Sequence, residues 1–185
     1  MKTLSSIFLP MFLAGVLWAG PEKPYHQLAL MDLDEMTIYV QKKIEASAQG
    51  DSEPLRQALQ TVLSRPDEDF MVDKVLGPIR QALEERDLWE ETLGSLVDES
   101  LSVLKKPAKI PAPMQVTYSV FLSNVVSQMK PHATEKGFER KALEKIRDAD
   151  ISLTKEMKAD RQLRMMKDSL SPSVQAEQAL GKTKK

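Results

Sequence analysis

The chain has 185 residues and no cysteine, which excludes disulfide bonds, thiolate metal sites and thiol catalysis. Aromatic residues make up only 5% of the total, and histidine occurs twice, at His26 and His132. A histidine-based metal site or catalytic triad requires further ligands or an acidic partner, and neither histidine has an acidic residue at ligand spacing. We therefore expect no cofactor, no metal and no enzymatic activity.

Long apolar runs are also scarce, and one of them begins the chain. Lys2 precedes an apolar stretch of twelve residues, Ile7–Trp18, and Ala19 and Gly20 follow it. A basic residue, a short apolar core and a small-residue cleavage site are the parts of a secretory signal peptide. We interpret residues 1–20 as this signal, with cleavage near Ala19 or Gly20. No cysteine follows, which excludes a lipoprotein anchor, so the sequence predicts a periplasmic or secreted protein.

Net charge is nearly absent, at −1, but this total conceals two oppositely charged halves. Residues 21–104 carry 18 acidic and 8 basic side chains, whereas residues 105–185 carry 9 acidic and 17 basic ones. The change occurs at residues 105–113, whose proline and lysine content is typical of an extended linker. We predict an acidic helical module over 21–104, and a basic segment over 114–185 that packs with it as one domain.

Apolar residues recur at helical spacing along most of the chain, which predicts an all-α fold. Four amphipathic helices are expected in the acidic module. The first runs from Tyr25 to Gly50 and the fourth from Asp87 to Leu104. The pair Gly77-Pro78 is expected to kink or divide the third helix.

Residues 114–129 carry no charge, which is unusual in a chain that is 29% charged. Alternating apolar residues from Val116 to Leu122 permit a strand. However, sixteen residues without glycine or proline favour a helix, and their many polar side chains argue against a membrane span. We predict that this stretch is the central helix of the core.

A long amphipathic, charged helix is expected from Glu135 to Asp168, with a short helix after Ser171-Pro172. The apolar stripe of the long helix is narrow and should pack on the central helix. Residues from Asp160 onward should project into solvent, so truncation at Asp160 should leave the melting temperature nearly unchanged. The predicted fold class is thus a small irregular helical bundle with a long charged C-terminal helix.

Nine basic side chains of the long helix form a candidate partner-binding surface. Acidic residues alternate with them and export removes the protein from nucleic acid, so nucleic acid is not an expected partner. A protein partner with an acidic surface or anionic lipid head groups fits better, and the oligomeric state stays open. The nine residues are Arg140, Lys141, Lys145, Arg147, Lys155, Lys158, Arg161, Arg164 and Lys167.

No catalytic constellation accompanies these features. The motif Ser-x-x-Lys occurs three times, but the Ser-Asp-Asn and Lys-Thr-Gly motifs that accompany it in serine enzymes of the cell envelope are absent. We therefore expect a non-enzymatic binding or scaffolding protein of the bacterial cell envelope. The alternative is a periplasmic holdase chaperone, to which the ten methionines would supply an adaptable apolar surface.

Overall fold

A computed structural model describes residues 31–47, 50–65, 69–105, 111–134, 136–149, 151 and 171–181, without the side chains of 69–73 and 112. These residues form seven α-helices and no strand, which confirms the prediction of a small all-α bundle. The signal peptide predicted over residues 1–20 lies outside the described residues. The helices are α1 (Leu33–Ser47), α2 (Glu53–Leu63), α3 (Asp69–Glu84), α4 (Trp89–Leu104), α5 (Ala112–Met129), α6 (Phe138–Asp148) and α7 (Pro172–Ala179), with a 3₁₀ turn at Lys130–His132.

Helix α5 is the centre of the bundle, and the preference for helix over strand in this stretch is confirmed. It packs against α2, α4, α6 and α7. Tyr118, Phe121 and Leu122 are among its almost fully buried side chains. The helix begins two residues before the predicted start, because Pro113 occupies the first turn, where a missing N–H group costs no hydrogen bond.

Helix α1 begins later than predicted. Met31 and Asp32 are not helical, so a helix continuous from Tyr25 is wrong, and Tyr25 itself lies outside the described residues. The start is set by a reciprocal cap: the Asp32 carboxylate accepts from the Glu35 N–H at 2.8 Å, and the Glu35 carboxylate accepts from the Asp32 N–H at 3.3 Å. This arrangement satisfies two N–H groups that have no helical partner.

Helix α3 continues through Pro78. Of the two outcomes expected at Gly77-Pro78, a kink or a division of the helix, the division is therefore wrong. The helix ends at a tight turn in which the Leu88 N–H donates to the Leu83 carbonyl at 2.9 Å. Asp87 adopts a left-handed conformation in this turn, with φ of 58°. This geometry reverses the chain after a helix and allows α4 to begin directly at Trp89.

The long helix predicted from Glu135 to Asp168 is also wrong. Helix α6 ends at Asp148, and Ile151 is non-helical and buried. The Ile151 N–H donates to the Ser173 hydroxyl at 2.8 Å, and that hydroxyl donates to the Ile146 carbonyl at 2.9 Å. Ser173 therefore satisfies one of the last carbonyls of α6 and holds the chain away from the helical path.

Helix α7 packs on α6 and α5, so the prediction that the chain projects from Asp160 onward is wrong for residues 171–181. Ala176 is fully buried, and the Gln175 side chain donates to the Ser123 hydroxyl on α5 at 3.2 Å. Residues 152–170 lie outside the described residues. The C-terminal helix is thus part of the core rather than a free handle.

The acidic and basic halves share one hydrophobic core. Buried apolar side chains of all seven helices belong to a single cluster, from Met36 on α1 to Ala176 on α7. Lys145 on α6 forms an ion pair with Asp98 on α4, which joins the two halves at the surface as well. At this pair, opposite charges of the two halves meet within the molecule.

Candidate functional site

Four of the nine candidate cations lie on α6. These are Arg140, Lys141, Lys145 and Arg147. The other five, which are Lys155, Lys158, Arg161, Arg164 and Lys167, lie outside the described residues. The structure therefore describes only the first part of the predicted binding surface.

Helix α6 is held rigidly by its apolar side. Leu143 and Ile146 are fully buried, and α6 packs on α4, α5 and α7. The ring of Phe138 lies against Gly94 of α4, within contact distance of the position that a Cβ atom on this glycine would occupy. Because this side of the helix is fixed, its charged side has a defined orientation.

Most of the charge on that outer side is compensated locally. Arg140 pairs with Glu144 at 3.1 Å, and Lys145 pairs with Asp98. Arg147 bonds to Asp148 at 2.6 Å, and this hydrogen bond raises the pKa of the Arg147 guanidinium. Exposed ion pairs of this kind contribute little to stability, at most about 1 kcal/mol each, but they reduce the positive field available to a partner.

The cations that are turned towards water without such a pair include residues outside the predicted set. Lys130, Lys136 and Lys141 are exposed and form no ion pair with a described residue. The Arg140 guanidinium also donates to the Ala133 carbonyl at 3.2 Å, which holds the 3₁₀ turn close to the first turn of α6. We refer to Lys130, Lys136 and Lys141 as the basic surface.

The predicted binding surface does not include Lys130 and Lys136, because it was limited to basic residues of the long helix. Each lies next to a residue that interrupts helices, Lys130 before Pro131 and Lys136 before Gly137. Their position at turns beside a buried helix could have predicted that these basic residues are exposed, because turns lie at the protein surface.

A partly buried polar network joins α2, α4 and α5. Tyr118 on α5 donates to the Glu99 carboxylate on α4 at 3.1 Å, and Glu99 also forms an ion pair with Arg56 on α2. Burial of the ring, and then the negative charge of Glu99, raise the pKa of the Tyr118 hydroxyl well above its ordinary value. A hydroxyl that stays protonated in this way serves as a structural donor and not as a nucleophile.

The raised pKa of Tyr118 predicts a loss of stability at alkaline pH. The folded state holds this proton more tightly than the unfolded state, so its contribution is complete at neutral pH and is lost as the pH rises above about 10. In Tyr118→Phe, we expect the free energy of unfolding to fall less steeply above that pH, by about 1.4 kcal/mol per pH unit. Urea unfolding between about pH 8 and pH 11 measures this difference, and equal slopes for the two proteins would contradict it.

A second surface feature is a groove between α1 and α3. It has a volume of about 430 Å³. Val40 and Ile44 of α1 and Val75 and Pro78 of α3 form its apolar walls, and Thr37, Gln41, Glu45 and Lys74 complete its lining. This groove could not be predicted from the sequence, because it depends on how two helices pack.

Within the described ranges, no three His, Asp or Glu side chains converge closely enough to hold a metal ion. None of the described helices has both the length and the apolar composition needed to cross a membrane. No protein-family model matches the chain, and no curated protein or solved structure is significantly similar to it.

Proposed function

We propose that the protein is an exported, non-enzymatic binding or scaffolding protein of the bacterial cell envelope. Its basic surface, continued by the cations predicted after Asp148, binds an acidic protein surface or anionic lipid head groups. The observation that supports this proposal most directly is the fixed placement of α6: its apolar side is buried, and Lys141 is exposed on its outer side, as are Lys130 and Lys136 in the segment before it. A preoriented cationic surface attracts anionic partners at low ionic strength.

The described surface supports binding through charge better than binding through apolar contact. Ile38 and Val174 are the large apolar side chains that are exposed among the described residues. A holdase chaperone needs a broad apolar surface for unfolded clients. This observation favours the binding protein over the holdase alternative, and suppression of the aggregation of an unfolded test protein would favour the alternative instead.

A charge reversal on α6 tests the proposal. In Lys141→Glu, we expect binding to vesicles that contain phosphatidylglycerol, or to polyglutamate, to weaken about thirtyfold at low salt, because a basic residue near an anionic surface contributes about 1 kcal/mol and its reversal costs a similar further amount. Lys105→Glu is the matched control, since Lys105 is also exposed but lies at the end of α4. Co-sedimentation and fluorescence titration measure the two affinities.

Two results would count against the proposal. One is the absence of binding to both anionic probes at low salt. The other is an equal loss of binding in Lys141→Glu and Lys105→Glu, because a general effect of net charge does not require a defined basic surface.

A further inference from the structure

The outer side of α1 carries an exposed apolar residue between two opposite charges. Asp34, Ile38 and Lys42 are separated by four residues each, so they lie in one row along the helix. All three side chains are exposed, and Ile38 is 54% exposed, more than any other large apolar side chain among the described residues. Ile38 therefore lies on the solvent side of α1 between one acidic and one basic side chain.

These charges are not used within the described part of the molecule. The side chains of Asp34 and Lys42 form no ion pair or hydrogen bond with a described residue. The neighbouring polar side chains are satisfied locally: Thr37 donates to the Leu33 carbonyl at 2.7 Å, and Gln41 donates to Glu45 at 3.2 Å. On this side of α1, the charged side chains of the row Asp34, Ile38, Lys42 can therefore form ion pairs with another molecule.

The row is complementary to itself. An antiparallel second copy of α1, centred on Ile38, places Ile38 against Ile38 of the other copy. It also places Asp34 opposite Lys42 of the other copy, and Lys42 opposite its Asp34. We propose that two copies of this chain associate through this contact as a dimer with two-fold symmetry.

The symmetry of the contact argues for a second copy over an unrelated partner. In a two-fold dimer each interaction is made twice, so one row supplies two ion pairs and one apolar contact. A single pair of helices is at the small end of protein interfaces, so we expect a dissociation constant on the order of 10 to 100 micromolar.

This dimer does not depend on the proposed function, but it has a consequence for it. Each dimer carries two basic surfaces, and two linked sites bind a surface of many anions more tightly than one site does. A contact through Asp34, Ile38 and Lys42 of α1 uses none of the residues of the basic surface.

Charge exchange within the row tests the dimer. Sedimentation equilibrium of the purified full-length chain, with its N-terminus read by intact mass, measures association up to about millimolar concentration. In Asp34→Lys or Lys42→Asp alone, like charges meet twice, and we expect the dissociation constant to rise about tenfold. The double variant Asp34→Lys/Lys42→Asp restores both attractive pairs and should dimerise like the original protein.

A mixture of the two single variants provides the sharpest result. Asp34→Lys leaves only positive charges in the row and Lys42→Asp leaves only negative ones, so each should be mainly monomeric alone, yet the two should associate when mixed. Misfolding of a variant cannot produce this recovery. Ile38→Asp should abolish the dimer, whereas Val174→Asp, at the exposed apolar residue of α7, should not.

Three outcomes would overturn the proposal. The first is a protein that stays monomeric over the whole concentration range. The second is a dimer that is unaffected by both single charge exchanges, which would place the interface elsewhere. The third is a mixture of the single variants that fails to associate, which would show that the two charges do not face each other. None of these outcomes affects the binding of anions by α6, which is measured separately through Lys141→Glu.

Discussion

Truncation of the chain after Lys136 is expected to abolish cooperative folding, and truncation after Asp160 is expected to lower the free energy of unfolding by about 3 kcal/mol. The first change removes α6 and α7, which are two of the four helices that cover α5. It deletes Leu143 and Ile146, which are both fully buried, and exposes the central apolar helix to water. Each large apolar side chain that loses its burial costs about 1.5 to 3 kcal/mol, so several such losses exceed the stability of a typical domain.

The second truncation removes only α7 from the described structure. Ala176 is fully buried, and Ser173 bonds to the Ile146 carbonyl and the Ile151 N–H group, so α7 covers the end of α6. For a chain of this size, a loss of about 3 kcal/mol corresponds to a melting temperature lower by roughly 6 to 12 °C. The sequence alone predicted no change, because it placed this segment in solvent.

Thermal unfolding followed by circular dichroism measures the series. A chain that ends at Gly181 is the control, since it lacks the last four residues and keeps α7. Ala176→Asp tests the same docking without truncation, because it forces a charge into a fully buried position, and it should lower stability by at least as much as removal of the helix. A chain ending at Asp160 that melts like the original would show that α7 does not contribute to the core.

The central helix could be predicted because its signal is contained in the segment itself. Residues 114–129 lack charge over a length that suits a helix and exceeds a usual strand, and a chain otherwise rich in charge keeps such a segment from water. The amphipathic pattern of α2 and α4 is similarly local. These helices could be predicted because the spacing of their apolar residues indicates which side of each helix is buried.

The end of α6 could not be predicted in this way. The segment after Asp148 contains no glycine or proline nearby, and apolar residues continue at helical spacing. The helix stops because Ile151 bonds to Ser173, which is 22 residues further along the chain. A contact between residues that are distant in the sequence overrides local helix propensity, and it cannot be predicted from the residues around Asp148 alone. The start of α1, unlike the end of α6, could have been predicted. Asp32 and Glu35 have the spacing of a reciprocal helix cap in the sequence.

The candidate surface shows the same division between local and distant information. The positions of the cations on α6 follow from helical periodicity. The ion pairs that neutralise these cations do not follow from periodicity. The pair between Lys145 and Asp98, for example, joins residues that are far apart in the sequence and on different helices. The row on α1 was also overlooked, because Ile38 lies in a short segment with strand-like composition and its exposure depends on how α1 packs.

Asn124 is the one asparagine in the chain, and its replacement is expected to have the largest effect of any single polar substitution on the core. The side chain is buried on α5, and its amide group donates to the Leu63 carbonyl at 2.8 Å and to the Arg65 carbonyl at 2.7 Å. These carbonyls lie at the end of α2, where the helix itself provides no donor. One side chain of the central helix thus satisfies the end of a neighbouring helix.

In Asn124→Ala, we expect the free energy of unfolding to fall by about 3 kcal/mol. Two buried carbonyls lose their donor, and each unsatisfied group costs about 1 to 3 kcal/mol. The higher helical propensity of alanine returns less than about 1 kcal/mol. Ser127→Ala is the control, because Ser127 is an exposed polar residue on the same helix, and a change within about 0.5 kcal/mol is expected there.

Asn124→Asp separates the hydrogen bonds from the effect of volume. A carboxylate at this position faces two carbonyl oxygens, so the pKa of the introduced group should lie above its ordinary value of about 4. The folded state then binds the proton more tightly than the unfolded state, and its penalty is greatest at neutral pH and shrinks as the pH falls. We therefore expect Asn124→Asp to be less stable than Asn124→Ala at neutral pH and more stable near pH 4, where the protonated carboxyl group donates to one carbonyl. Chemical unfolding of both variants at the two pH values measures this reversal. If their order stays the same at both, the carbonyls of Leu63 and Arg65 do not depend on a donor from α5.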